Sequence, residues 1–267
     1  MSKSASFRDL LVLNYFPGKR VVGLGAKFSE PELNLQKILQ ALTERRLKPL
    51  SVVVTSSLPN PGEYFLYMII EYGEAGEGVV RGLVSELESL RVVSSASIIW
   101  PPLPGFVGDD YFDFKGFLGN RAIIVGAPAL SGFLKGLHST FREAGAVFLY
   151  HTGKSIGTTA ARIYQSTLNI RDVEAMYKAA EIFFHSLGYV RSLTFTRRGR
   201  EVTATLAENL ECILLRDFKL PPTSNWLRGM IEGVVEVFEN AGYESEEVEC
   251  INKGDENCKI ILRPLLK

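Results

Sequence analysis

The stretch Glu246–Ile260, EEVECINKGDENCKI, carries two of the three cysteines of this 267-residue chain. Cys250 and Cys258 flank Gly254 and Asp255, a pair of residues typical of a turn, so the stretch predicts a final β-hairpin. A two-residue loop would place the thiols on opposite faces, whereas a three- or five-residue loop centred on Gly254 would pair Cys250 with Cys258 directly. Only the odd loop allows a shared metal ion or a disulfide, and the sequence leaves both loops open.

Composition excludes several classes of protein. Lysine plus arginine and aspartate plus glutamate each total 30, so the chain is neutral and lacks the positive excess of a dedicated nucleic-acid binder. No apolar run approaches the roughly 18 residues of a transmembrane helix, so we expect no membrane insertion. Three cysteines do not make a disulfide framework, and no secretory signal is visible. We therefore expect a reduced, cytoplasmic protein.

A proline-rich segment divides the chain. Residues 101–110 contain three prolines and two glycines, which do not continue a helix or a central strand. We predict a linker there, between an N-terminal domain over residues 17–100 and a C-terminal domain over residues 111–267.

The N-terminal domain shows alternating strand and helix patterns. Strand-like runs at 19–28, 50–56, 64–72 and 92–100 are interrupted by two amphipathic helices, around Ile38 and Leu83. This βαββαβ order predicts a ferredoxin-like fold, and in element order it resembles an ACT-type regulatory domain, a module that binds amino acids at subunit interfaces. The Gly23-x-Gly25 pair lacks the third glycine of a nucleotide-binding turn, and close backbone packing explains it better.

The C-terminal domain is predicted to be helical with a small antiparallel sheet, which makes the whole chain α+β. Gly153-Lys154-Ser155 resembles the end of a phosphate-binding loop, but Phe148 stands where that motif needs glycine. We expect Ser155 to cap a helix instead. The three histidines show no metal spacing, and no nucleophile–base motif is present, which leaves enzymatic activity uncertain.

The C-terminal motif resembles the 4-vinyl-reductase-type domain. The resemblance rests on Glu247-x-x-Cys250 followed, after seven intervening residues, by Cys258, and preceded by a helix with Gly229-x-x-x-Gly233; it extends over residues 110–267. That family is a ligand-binding fold of helices on a small sheet. It forms the sensor domain of bacterial aromatic-responsive transcription activators and occurs in stand-alone archaeal proteins. It is similar in fold to the small TRAPP tethering subunits.

The resemblance implies a zinc site. In the aromatic sensors a glutamate and three cysteines hold structural zinc, and Glu247, Cys250 and Cys258 match three of these ligands. The fourth falls on Ser224, a poor zinc ligand that would otherwise serve as a helix N-cap. We expect that Cys212 does not replace it, because it lies on the other side of the 219–224 loop. Zinc, a metal-free core pair of cysteines and a disulfide remain as alternatives.

The resemblance also implies a ligand site. We expect a small hydrophobic or aromatic molecule to lie near His185, Leu206, Gly229 and Gly233. His185 matches a sensor histidine at the end of a helix, although the helix dipole alone would favour histidine there. The two glycines either pack closely on another helix or line the pocket.

The function that the resemblance implies is therefore that of a regulatory sensor, which we expect to form a homodimer. Residues 1–18 are too few for a helix-turn-helix, so we expect the sensor to signal through a protein partner. The alternatives are a TRAPP-like interaction scaffold and an enzyme acting on a tetrapyrrole-like substrate.

Overall fold

The computed structural model describes residues 13–57, 60–112, 121–218 and 224–265. The chain divides into two compact units, Met1–Ile123 and Ile124–Lys267. The strands and helices of the first unit are β1 (Leu13–Tyr15), β2 (Val21–Phe28), α1 (Pro31–Glu44), β3 (Lys48–Ser56), β4 (Tyr64–Glu71), α2 (Glu77–Ser89), β5 (Ser95–Ile99) and β6 (Phe106–Gly108).

The first unit has the ferredoxin-like topology that its element order predicts. Its four-stranded antiparallel sheet has the order β3-β4-β2-β5. The apolar faces of α1 and α2 pack on one side of the sheet, where Ile38 and Leu83 are fully buried. The periodicity of the sequence is sufficient for this prediction because each helix has a single apolar stripe to bury.

The other side of this sheet is covered by the β1–β6 pair and the residues that follow it. The ring of Tyr111 lies directly over Gly25, so that a Cβ atom on Gly25 would be 2.4 Å from Cγ of Tyr111. Close packing is thus the reason for this glycine. The predicted linker contributes β6 to the first unit, because an edge strand tolerates neighbouring prolines. The domain limits read from the sequence stay predictions.

The second unit combines helices with a second antiparallel sheet, which confirms the α+β class. Its elements are α3 (Ala127–Phe141), α4 (Glu143–Leu168), α5 (Val173–Ser186), β7 (Ser192–Arg198), β8 (Glu201–Ala207), α6 (Leu210–Leu214), α7 (Asn225–Glu239), β9 (Tyr243–Glu249) and β10 (Cys258–Pro264). The strand order is β7-β8-β10-β9. The core lies between the inner face of this sheet and helices α5 and α7.

The prediction that Ser155 caps a helix is wrong, because this residue lies inside α4. The helix runs unbroken for 26 residues, with Ser155 near its middle rather than at a helix start. Its buried positions recur every fourth residue and include Gly153 and Gly157, which lie against the backbone of α7. Gly153, which resembled the end of a phosphate-binding loop, therefore serves helix packing together with Gly157. Within the described ranges, no helix is long and apolar enough to cross a membrane.

Candidate metal centre

The final hairpin has the odd register. Lys259 pairs with Glu249, so the register is centred on Gly254, and Cys250 and Cys258 occupy the next equivalent positions. The connection is longer than the predicted three or five residues and contains a 3-10 turn, Ile251–Lys253. Gly254 follows this turn with φ 103°, a left-handed conformation that glycine adopts without steric cost.

A β-bulge brings Glu247 to the same face as the thiols. The register shifts between Lys259 and Ile260, and Ile260 pairs with Glu247 instead of Val248. In a regular strand, residues three apart point to opposite faces. The additional residue on β9 reverses this, and both Glu247 and Cys250 are buried.

Cys212 completes the cluster, contrary to the prediction that it would lie apart. It is on the short helix α6, and its Sγ lies 3.6 Å from Sγ of Cys250 and 3.6 Å from Sγ of Cys258. The ligand atoms of Cys212, Glu247, Cys250 and Cys258 all lie within 4.8 Å of one another, and all four residues are buried. Ser224, on the far side of the intervening residues, nevertheless lies beside Cys212. Of these intervening residues, 219–223 lie outside the described residues.

Ser224 occupies the N-cap position of α7 as predicted, but its side chain does not cap the helix. Its hydroxyl donates instead to Oε1 of Glu247 and lies 3.1 Å from Sγ of Cys212. The side-chain amide of Asn209 donates to the Ser224 hydroxyl at 2.7 Å. Ser224 therefore lies beside the four donors and orients one of them.

Burial makes this cluster electrostatically unusual. It raises the pKa of Glu247 to about 7, although the hydrogen bond from Ser224 lowers it. Contacts with Cys250 and Cys258, and then burial, raise the pKa of the Cys212 thiol far above its ordinary value. Without a cation the Cys212 thiol therefore stays protonated. A divalent cation would displace this proton, because thiolates are the ligands that structural metal sites use.

The arrangement suits a closed, structural metal site. All three cysteines of the chain are among the described residues and none forms a disulfide. Three sulfur atoms and one carboxylate supply four donors, the number that a tetrahedral structural zinc site needs. Zinc itself stays a prediction.

Glu211, next to Cys212, provides the cap that Ser224 does not. Its two carboxylate oxygens accept from the backbone N–H groups of Trp226 and Leu227, both at 2.9 Å, and it is fully buried. Burial raises its pKa to about 8, while the two N–H groups lower it. The first turn of α7 is thus fixed to α6, which positions Cys212.

We expect Glu211→Ala to lower the free energy of unfolding by about 2–5 kcal/mol, because it leaves two buried N–H groups without acceptors. Urea denaturation followed by circular dichroism measures this loss. Asp172→Ala is the matched control: Asp172 caps α5 through a single bond to the Ala175 N–H at 2.8 Å, and its loss should cost about 1 kcal/mol. Equal losses for the two variants would contradict the buried double cap.

The four residues predicted to line a ligand site lie in different environments. Leu206 is fully buried in the core, opposite Cys258 in the sheet. Gly229 and Gly233 pack on α4: a Cβ atom on them would be 2.1 Å from the carbonyl oxygen of residue 150 and 2.3 Å from that of residue 154. The space beside both glycines is thus filled by backbone, which corrects the pocket-wall interpretation. His185 is exposed, and its Nδ1 lies 2.8 Å from the Arg191 carbonyl oxygen.

An aromatic cluster that the sequence analysis did not identify lies in the same unit. Tyr164 of α4 contacts Phe183 of α5, with ring centroids 4.9 Å apart, and Tyr189 contacts Trp226 of α7 at 5.7 Å. Phe183 and Tyr189 join the two pairs at 6.5 Å. All four rings are partly exposed. Their separation in sequence, over more than 60 residues, explains why no local pattern indicated them.

No protein-family model matches the chain, and no curated protein matches it. Solved structures do resemble it. The phenol-responsive sensory domain of the transcription activator PoxR, with phenol, matches with a TM-score of 0.50 and 19% identity, over 55% of this chain and 79% of that domain. This likeness shows a shared fold over just over half of the chain.

Two further structures match less well. A trafficking protein particle complex subunit 3 from Naegleria fowleri, covalently bound to palmitic acid, has a TM-score of 0.40 and 18% identity, over 52% of this chain and 95% of that one. A vinyl-4-reductase family protein from Methanocaldococcus jannaschii has a TM-score of 0.38 and 14% identity, over 54% and 84%.

Proposed function

We propose that the chain is a small-molecule-binding regulatory protein and that its second unit holds a hydrophobic or aromatic ligand. The observation that carries the proposal is the fold shared with a phenol-responsive sensory domain. In this proposal the protein is a homodimer, and ligand occupancy is passed to a protein partner. The first unit, ferredoxin-like and similar in element order to an ACT-type domain, would serve regulation as well.

The aromatic cluster is the place we assign to the ligand. Its members come from α4, α5, the segment before β7 and the first turn of α7, so a molecule bound there would contact several elements at once. Partly exposed rings bind apolar molecules through their faces and edges. Burial raises the pKa of Tyr164 and of Tyr189, so both hydroxyl groups stay protonated at neutral pH.

Trp226 permits a direct test. The chain has two tryptophans, and Trp100 lies in the first unit, so Trp100→Phe leaves Trp226 as the sole tryptophan reporter. We expect phenol and its non-aromatic counterpart cyclohexanol, titrated separately, to change the Trp226 emission in a saturable way. Phe183→Ala in the same background should weaken binding about tenfold, or about 1.4 kcal/mol, because one ring contact is lost.

The matched control is Phe133→Ala, which removes an exposed phenylalanine on α3 outside the cluster. It should leave both titrations unchanged. If neither probe gives a saturable response, the ligand-binding function is wrong. If Phe133→Ala weakens binding as much as Phe183→Ala, the assignment to the aromatic cluster is wrong.

A scaffold function is the second candidate, favoured by exposed apolar side chains on α3 and α4. Phe133, Phe141 and Phe148 are each more than half exposed. Single exposed apolar residues are common, but several on adjacent helices are typical of protein-binding surfaces. A scaffold would give no saturable response in the same titrations.

A further inference from the structure

The four-donor cluster of the second unit differs from the pattern that the sequence resemblance implies. In that pattern the fourth zinc ligand falls on Ser224, whereas the structure brings Cys212 of α6 into contact with both other sulfur atoms. We infer that this chain binds a structural zinc ion through Cys212, Glu247, Cys250 and Cys258, and that Cys212 supplies the thiolate from a different element. Ser224 is then a positioning residue. This inference does not depend on the ligand proposed above.

The distances fit a tetrahedral site. Thiolates about 2.3 Å from a tetrahedral zinc ion lie about 3.8 Å from one another. The sulfur atom of Cys212 lies 3.6 Å from each of the other two. A disulfide would need about 2.0 Å between the atoms. The three sulfur atoms are therefore arranged for a shared ion without a large rearrangement.

Glu247 gives an independent indication of a cation. Its Oε1 accepts from Ser224, but its Oε2 is buried and has no hydrogen-bond partner among the described residues. A buried carboxylate oxygen without a partner costs free energy comparable to a lost hydrogen bond or more. A cation bound by the neighbouring thiolates would satisfy this oxygen.

Local hydrogen bonds hold the segments that carry Cys250 and Cys212 in place. The backbone N–H of Cys250 donates to Asp255, and the side-chain amide of Asn252 donates to the carbonyl oxygen of Cys212, both at 2.8 Å. The second bond ties the hairpin loop to α6. Pre-arranged ligands of this kind are expected where a metal stabilises the fold.

The geometry also explains how the fourth metal-binding side chain can come from position 212 instead of position 224. The Ser224 hydroxyl lies 3.1 Å from Sγ of Cys212 and donates to Glu247, so the side chains of residues 212 and 224 reach the same small volume. A thiol at either position can serve as the fourth donor. Serine does not, because its hydroxyl keeps its proton at neutral pH. Zinc binding releases the protons of the three thiols to solvent, because thiolates rather than thiols bind the ion.

The experiment measures zinc in the full-length protein after purification in zinc-containing buffer and dialysis. We expect about one zinc per chain in the unaltered protein and less than about 0.2 in Cys212→Ser. Ser224→Ala should keep stoichiometric zinc, with affinity about tenfold lower because only a supporting hydrogen bond is lost. The decisive variant is Cys212→Ser/Ser224→Cys, which returns the thiol to the position that the resemblance implies and should regain zinc.

Cobalt substitution counts the thiolates directly. At saturating cobalt, the thiolate-to-cobalt charge-transfer absorption per bound cobalt ion should fall by about a third in Cys212→Ser and recover in the double variant, because the number of sulfur ligands changes from three to two and back. If the unaltered protein holds no zinc and shows no thermal stabilisation by it, the metal centre is wrong. If Cys212→Ser keeps zinc and its cobalt spectrum, the assignment of Cys212 is wrong.

A measurement without substitutions guards against variants that do not fold. Alkylation of the unaltered protein followed by peptide mass spectrometry should label Cys212, Cys250 and Cys258 only after a chelator removes zinc. Protection of Cys250 and Cys258 with labelling of Cys212 would overturn the proposal. None of these readouts involves phenol, so failure here is distinct from failure of the ligand-binding function.

Discussion

Gly157→Ala should lower the free energy of unfolding of the second unit by about 3 kcal/mol or more. A Cβ atom at this position would lie 2.0 Å from the carbonyl oxygen of Met230 on α7. Ordinary contacts are longer than 3 Å, so α4 and α7 would have to move apart by about 1 Å. The same holds for Gly153 and Gly229, whose Cβ atoms would each meet a backbone oxygen at 2.1 Å.

The effect is large because the obstacle is backbone rather than a mobile side chain. A side chain can change its rotamer, but a helix carbonyl moves only with its helix. Separation of α4 from α7 would also loosen Met230 and Ile231, which are buried in the core. Protein interiors are densely packed, so small separations are costly.

Gly132→Ala and Gly136→Ala in α3 are matched controls. Neither position has an atom within 4 Å of a Cβ atom. Alanine should therefore stabilise α3, by up to about 1 kcal/mol, through its higher helix propensity. Urea denaturation monitored by Trp226 fluorescence in the Trp100→Phe background measures the loss of unfolding free energy expected for Gly157→Ala and the gain expected for the two α3 variants. A loss below 1 kcal/mol for Gly157→Ala would show that the helices do not pack as closely as described.

These glycines also show the limit of sequence reasoning on the fold. The first unit was predictable because each helix shows one apolar stripe and each strand is bounded by turn residues. In α4 the segment Gly153-Lys154-Ser155 suggested a helix start at Ser155, and glycine is unfavourable in an isolated helix. Close packing on α7 offsets that cost. This is a tertiary effect, and it depends on residues some 75 positions away in sequence.

The four-donor cluster was predictable in part. The resemblance to the aromatic sensors implied Glu247, Cys250 and Cys258 as donors, and burial of both Glu247 and Cys250 requires the observed bulge. The contribution of Cys212 was not predictable, because α6 has only five residues and shows no clear periodicity. Sequence distance across the 219–224 loop then argued against it. Only the three-dimensional structure shows that Cys212 lies next to Cys250 and Cys258.

Glu232→Ala should lower the free energy of unfolding by about 3–5 kcal/mol, because it breaks a buried charge network. Glu232 is 1% exposed on α7 and accepts from the ammonium of Lys154 at 2.7 Å. It also accepts from the hydroxyls of Tyr150 and Ser245. The network therefore joins α4, α7 and β9. Burial, together with the bond to Glu232, raises the pKa of Tyr150 to about 12, so its proton remains available for donation.

Breaking this network and replacing it should have different consequences. Glu232→Ala leaves the Tyr150 and Ser245 hydroxyls without their acceptor and Lys154 with only Glu236, at 2.9 Å. Glu232→Leu combined with Lys154→Met removes both charges, and it should cost about 1–2 kcal/mol less than Glu232→Ala alone. Urea denaturation of the three proteins measures the difference.

An exposed ion pair provides the control for the charge effect. Glu77 and Arg81 of α2 lie 3.9 Å apart and are 60% and 62% exposed. Glu77→Ala should therefore cost less than about 1 kcal/mol, because solvent and salt screen the pair. If Glu232→Ala costs no more than Glu77→Ala, the buried network does not hold α4 and β9 to α7. If the double replacement costs more than Glu232→Ala, the attraction between the charges of Glu232 and Lys154 exceeds the cost of removing them from water. The network would then be a net source of stability.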